Sequence, residues 1–150
     1  GSFWKVPAIR MKNNIPHTLN LSGYLIKVLD IMRQRTNSKY VFPYKSTNLS
    51  NEAPLNLMRR LLRGRMKEFK HKNSEKNPVA HGLRHSFRTW GEQCGYRTEH
   101  LERQMSHNEK NKLISTYMHY DYINERKVIT EHWEDVCLGK ADPAEKARVV

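Results

Sequence analysis

The apolar positions of the chain change period several times, and each change marks an element. Phe3 to Ala8 is short, aromatic and β-branched, and Pro16 to Leu21 repeats that character after a polar stretch containing Asn13 and Asn14. Two such runs joined by turn-forming residues predict an antiparallel β-hairpin. After Ser22, a helix-capping residue type, Leu25, Val28, Leu29 and Met32 recur at i, i+3, i+4 and i+7, which predicts a helix with that stripe in the core. Tyr40, Val41 and Phe42 form a short run expected to be buried and ended by Pro43, and Lys45 to Asn51 reads as polar loop. Pro54 then sits where a first helical turn tolerates it, and Leu55, Met58, Leu62 and Phe69 give a second helix its inward stripe. Gly64 weakens that helix by about 1 kcal/mol relative to alanine.

The polar stretch Lys72 to Val79 precedes a third helix, from about His81 to Cys94, where Gly95 supplies a left-handed stop. Leu83, Phe87 and Trp90 are spaced to face a core. Thr98 reads as the cap of a short helix through Leu101 and Met105, which delivers His107 at its end. Asn108 to Asn111 break the pattern, and Lys112 to Met118 carry Tyr117. Asp121 reads as the cap of a last helix with Tyr122, Ile129, Trp133 and Val136 inward, ending near Gly139. Lys140 to Val150 reads as a flexible polar tail. The expected fold class is mainly α with a small β-hairpin, a single domain over residues 3–139.

Charge changes this picture from a generic helical domain to one with a polyanionic partner. Lysine and arginine exceed aspartate and glutamate by 12 in 150 residues, and cations that neutralise phosphates release counterions, which dominates nucleic-acid affinity. The second helix sets Arg59, Arg60, Arg63, Arg65, Lys67 and Lys70 opposite its apolar stripe, a face suited to the DNA backbone. Two cysteines, Cys94 and Cys137, are too few for a disulfide framework and fit a reducing, cytoplasmic setting. No run of about 18 apolar residues suggests a membrane span.

Against that background His81-Gly82-Leu83-Arg84, with His107 further on and a cluster of Tyr117, Tyr120 and Tyr122, reads as a site for a phosphodiester. In a helix, His81 and Arg84 share one face at i and i+3, and an arginine fork matches two phosphate oxygens. His107 adds a donor or a proton carrier. A phenol, with a reference pKa near ~10, attacks only if its proton is taken or its anion is stabilised. Spacing alone leaves the three tyrosines open. Zinc is the other reading of eight histidines, but His81 and His85 have no H-E-x-x-H glutamate and no C-x-x-C occurs, so no metal is expected.

Three blocks occurring in order carry a resemblance: Trp4 to Ala8 with Arg10, Met11, Lys12 and Pro16-His17; His81 to Trp90; and Met105-Ser106-His107 with Tyr117-Met118-His119 and Asp121-Tyr122. Together they resemble the catalytic domain of the tyrosine recombinases, the phage-type integrases, above all those of prophages and genomic islands. The resemblance implies the DNA breaking-rejoining fold and site-specific recombination or integration through a 3′-phosphotyrosyl intermediate, with neither ATP nor metal. It implies Tyr117 as nucleophile, Arg84, His81 and His107 as charge and proton managers, and Lys12 as the acid for the leaving 5′-hydroxyl, with Lys5 the alternative. Arg10, Arg59, Arg60, Arg63 and Arg88 would contact the DNA backbone, although Arg88 also suits a carboxylate partner. The implied partners are double-stranded attachment-site DNA, further copies of the chain on that DNA, and accessory bending or directionality factors.

Three departures stand out. The family also uses an arginine on a helix ahead of the hairpin, upstream of this sequence, so this stretch alone is expected to recombine weakly or not at all. Ser106 stands where glycine or alanine is commoner, and Asn20 where proline often sits; both read as minor. Two other readings are a basic module, or decayed integrase remnant, that binds DNA without cutting it, and a type IB topoisomerase-like enzyme that relaxes supercoils.

Overall fold

The computed structural model describes residues 2–44, 47–48, 56–57, 60, 79, 81–107 and 121–149. Two units emerge, one of Gly1–Val28 with Phe87–Val150 and the other Leu29–Ser86. Among the described residues the chain is mainly helical with small antiparallel ribbons, as the hydrophobic pattern predicts.

In the first unit, strands β1 (Phe3–Val6) and β2 (His17–Asn20) pair antiparallel, from Phe3 opposite Asn20 to Val6 opposite His17. A single 3-10 turn, Ala8–Arg10, starts after Pro7 and opens the connection between them. Backbone bonds from Arg10 to Pro7 and from Met11 to Ala8 hold that turn. Helix α1 (Gly23–Gln34) follows and leads into the second unit. None of its residues is buried, and Leu25 is 39% exposed, so the apolar stripe expected in the core is at best half covered.

The core of the first unit lies among α2 (Gly82–Cys94), α3 (Thr98–Gln104) and α4 (Ile123–Cys137). Trp90, Cys94, Leu101 and Ile129 are buried there, with Phe87, Tyr96, Trp133 and Val136 packed against them. Trp90 and Trp133 meet with their rings tilted by 47° and centroids 4.8 Å apart, and Phe87 meets Trp133 edge-on at 5.7 Å. Leu83 departs from the expected core stripe, being 63% exposed one turn before Phe87. Helices α2 and α3 approach so closely at Gly91 that a methyl group there would come within 2.4 Å of Leu101 Cδ2. Any larger residue at this position would have to displace the buried Leu101 side chain.

Three helices end in the same hydrogen-bonded motif, in which a residue in the left-handed region closes the last turn with paired 5→2 and 6→1 bonds. Gly95 (φ +95°) ends α2 with bonds Gly95 to Glu92 and Tyr96 to Gly91; Gly139 (φ +68°) ends α4 with Gly139 to Val136 and Lys140 to Asp135. Ser106 (φ +55°) does the same after α3, with Ser106 bonded to Arg103 and His107 to Glu102. Helix starts differ from expectation. Thr98 is the first helical residue after Arg97, and α4 is entered through Tyr122 in a left-handed conformation; neither start has a side-chain cap. Asp121 commits its carboxylate to two arginines instead.

The stretch expected to trail beyond Gly139 makes contacts in the structure. Ala147 donates to the Cys94 carbonyl, Arg148 donates to the Tyr96 hydroxyl, and the Arg148 guanidinium meets Asp135 at 2.7 Å. In the second unit, β3 (Pro43–Tyr44) pairs with β4 (Thr47–Asn48). Val41 and Phe42 just ahead are 46% and 47% exposed, so the run expected to be buried there is not.

Candidate active site

Arg126 is the buried charge around which the first unit's site-bearing elements are joined. It projects from the first turn of α4, is fully enclosed, and donates from all three guanidinium nitrogens. Nε donates to Gln104 Oε1 at 2.8 Å, Nη1 to the Asp121 carbonyl and carboxylate at 3.0 and 2.9 Å, and Nη2 to the Thr18 carbonyl of β2. Burial pulls its pKa down and the Asp121 carboxylate opposes that. Such a charge is tolerable in an interior only when it is paired and well hydrogen-bonded.

Two neighbours complete the seam. His17 Nε2 donates to the Gln104 carbonyl at 3.3 Å, and Asn20 Nδ2 donates to the Ile123 carbonyl at 2.7 Å. Asn20, minor in the sequence reading, is 7% exposed and stitches the hairpin to the start of α4. The hairpin is thereby fixed to the end of α3 and the beginning of α4 by buried polar bonds. Lys12 and Arg10 lie exposed on the connection between its strands, and Lys5 is exposed on β1.

His107 follows α3 immediately. Its Nδ1 lies 2.6 Å from Glu102 Oε2, and the other oxygen of that carboxylate takes Nε of Arg88 from α2. Arg88 also pairs with Glu92 at 3.0 Å. Partial burial works against the Glu102 anion, but the bonds from Arg88 and His107 outweigh it and lower the pKa. As Glu102 is ionised it can only accept, so the imidazole donates from Nδ1 and carries its lone pair on Nε2. Arg88, which the sequence offered both to the DNA backbone and to a carboxylate, has carboxylate partners here.

His81 and Arg84 belong to the second unit. His81 is exposed, the Arg84 side chain is half-buried, and the His81 and His85 rings meet edge-on at 5.1 Å. Arg60 is exposed. Tyr117, Arg59 and Arg63 lie outside the described residues, as do Tyr120 and His119. Within the first unit, then, Arg88 and His107 come together through Glu102, while Lys12 rides on a hairpin anchored to the same helix end. Glu102 was missed in the sequence; its place five residues before His107 was the available signal. Among the described residues no three His, Cys, Asp or Glu side chains are grouped to hold a metal ion. No helix among them is long and apolar enough to cross a membrane.

The phage integrase family matches residues 2–123, from the hairpin to the start of α4. The chain belongs to the phage integrase family. Two relatives accompany that match. Prophage integrase IntA of Escherichia coli (strain K12) is 29% identical over 141 residues, covering 91% of this chain and 31% of that protein. The integrase of Enterobacteria phage P4 is 25% identical over 151 residues, covering 89% of this chain and 33% of that protein. This integrase-family chain thus spans about a third of the length of the curated relatives it matches. No solved structure matches it.

Proposed function

We propose that this integrase-family domain cuts and rejoins double-stranded DNA at attachment sites by transesterification through a tyrosine. The Tyr117 hydroxyl oxygen attacks the scissile phosphorus as its proton passes to His107, a 3′-phosphotyrosyl bond forms, and the bond to the 5′ oxygen breaks. Lys12 hands a proton to that oxygen. Arg84 and His81 stabilise the equatorial oxygens, where negative charge grows in the transition state, and His107 manages the proton. The link conserves the energy of the broken phosphodiester, so a second 5′-hydroxyl reverses the step without ATP or metal. Arg10, Arg59, Arg60 and Arg63 hold backbone phosphates, and several copies of the protein act together on one DNA.

The observation that carries this reading is the family match over residues 2–123, a stretch that contains His81, Arg84, His107 and Tyr117 in the order the resemblance to the tyrosine recombinases implies. The hairpin, fixed by Thr18, His17 and Asn20 to the helices beside His107, supports Lys12 as a positioned group.

The test uses the full-length protein with a nicked suicide duplex bearing a candidate attachment site. An SDS-resistant protein–DNA complex that is lost in Tyr117→Phe, with gel-shift binding retained, supports the proposal. Binding without any adduct would replace it with a non-cutting DNA-binding module, and plasmid relaxation without site preference with a topoisomerase.

A further inference from the structure

We infer that Glu102 is a positioning residue for His107, fixing which imidazole nitrogen meets the DNA. The inference rests on the proposed role of His107 in transesterification. Glu102 grips the histidine twice: the His107 backbone N–H donates to the Glu102 carbonyl at 2.9 Å, and His107 Nδ1 donates to the Glu102 carboxylate at 2.6 Å. The first bond belongs to the motif that ends α3 at Ser106, so the backbone of His107 cannot turn without breaking the helix terminus. The second sets the ring's rotation and tautomer.

The carboxylate is itself oriented. Arg88 on α2 takes its other oxygen, and the Glu102 side chain is 20% exposed while that of His107 is 43% exposed. The anchored end is therefore enclosed and the imidazole reaches outward. A neutral imidazole in water favours the proton on Nε2; a carboxylate on Nδ1 reverses that preference and makes Nε2 the accepting nitrogen. Nε2 is then the nitrogen that takes up a proton from the phenol and returns it as the link is resealed. Loss of Glu102 leaves Arg88 paired with Glu92, so the two effects separate.

The deciding measurement is nitrogen-15 NMR of histidine side chains in this chain, at a pH where imidazole is neutral. His107 is expected as the Nδ1–H tautomer, reverting to mainly Nε2–H in Glu102→Ala and keeping Nδ1–H in Glu102→Asp. An Nε2–H tautomer in the unaltered chain, or no change in Glu102→Ala, overturns the inference. In the full-length protein with the nicked duplex, Glu102→Ala is expected to slow adduct formation on the order of tenfold or more at saturating protein, with duplex affinity unchanged. Glu102→Asp should recover part of the rate, and in a His107→Ala background the Glu102 effect should vanish. A Glu102→Ala effect that survives in that background also overturns it. An unaltered protein that forms no adduct contradicts the recombinase reading, and the tautomer still decides the role of Glu102.

Discussion

Arg126 on α4 donates a hydrogen bond to the backbone carbonyl of Thr18 on β2, 108 residues away in sequence, from a position with no solvent exposure. That bond ties the hairpin bearing Lys12 to the helix that begins just after Asp121. The other donors of Arg126 run to Gln104, three residues before His107, and to Asp121, four residues after Tyr117. One side chain thus ties the hairpin to the end of α3 and the start of α4.

Removing this side chain should be expensive. Arg126→Met leaves Asp121 with Arg103 alone and strips acceptors at Thr18 and Gln104 of their donor. The expected loss is about 1–3 kcal/mol or more, because buried acceptors are left without their charged donor. Arg126→Lys, with a point charge in place of a fork, should recover only part of it. Urea unfolding measures both; a loss under about 1 kcal/mol in Arg126→Met would show that the seam holds without its guanidinium.

Gly91→Ala should destabilise the core by about 1–3 kcal/mol, since its new methyl group collides with the Leu101 side chain. Leu101→Ala alone opens a void and should cost about 2–5 kcal/mol. In the double variant the added methyl occupies part of that void, so the two losses should fall short of their sum. Simple additivity in thermal or urea unfolding would contradict the close approach of α2 and α3.

Ser106→Gly should stabilise the chain by about 0.5–1 kcal/mol. Ser106 holds a left-handed conformation at φ +55°, which costs a residue with a Cβ but not glycine, and the greater freedom of glycine in the unfolded chain takes back some of the gain. A fall in the urea midpoint would show that the Ser106 side chain stabilises the turn more than its conformation costs.

Stability should fall as the medium becomes acidic. His17, His100 and His132 each have their pKa lowered from the ordinary 6.5, in every case by burial first. Positive neighbours add to it: Arg126 beside His17, Arg97 beside His100 and Arg148 beside His132, with nearby carboxylates opposing. The unfolded chain therefore takes up protons before the folded one. The stabilisation is complete above pH 6.5 and is lost as pH drops through the lower folded-state values, at up to about 1.4 kcal/mol per pH unit for each histidine. The lowered carboxyl pKa values of Glu102 and Asp135 act in a more acidic range, below 4.5 and 3.8. Urea unfolding between neutral pH and pH 5 checks this, and His132→Gln should flatten the slope. Unchanged stability across that interval would contradict the neutral burial of these rings.

Local chemistry in the sequence anticipated a good part of this structure. The hairpin lies within the predicted runs because alternation and turn residues act at short range, and Gly95 and Gly139 end their helices because left-handed closure favours that residue type. Trp90 and Ile129 are in the core where helical spacing puts them. What escaped was set by partners distant in the chain. Arg126 looks in sequence like any surface cation, Asp121 looks like a helix cap until Arg103 and Arg126 claim it, and Asn20 finds its acceptor 103 residues on. Leu83 shares the period of Phe87 and Trp90 yet remains exposed, since periodicity names a face and not how far along it the packing reaches. Of the candidate site, the sequence offered residue types and their order, and the pairing of Arg88 with a carboxylate was among its readings. The clamp on His107 was not, because Glu102 acts through a side-chain rotamer and through Arg88 on another helix.

The central claim is that one phenol becomes covalently bound to DNA, and mapping the attachment point tests it most directly. After trapping on a nicked suicide duplex, digestion and mass spectrometry should place the residual nucleotide on the peptide containing Tyr117, with fragment ions assigning it to that residue. Attachment at Tyr120, Tyr122 or any other residue would contradict the account.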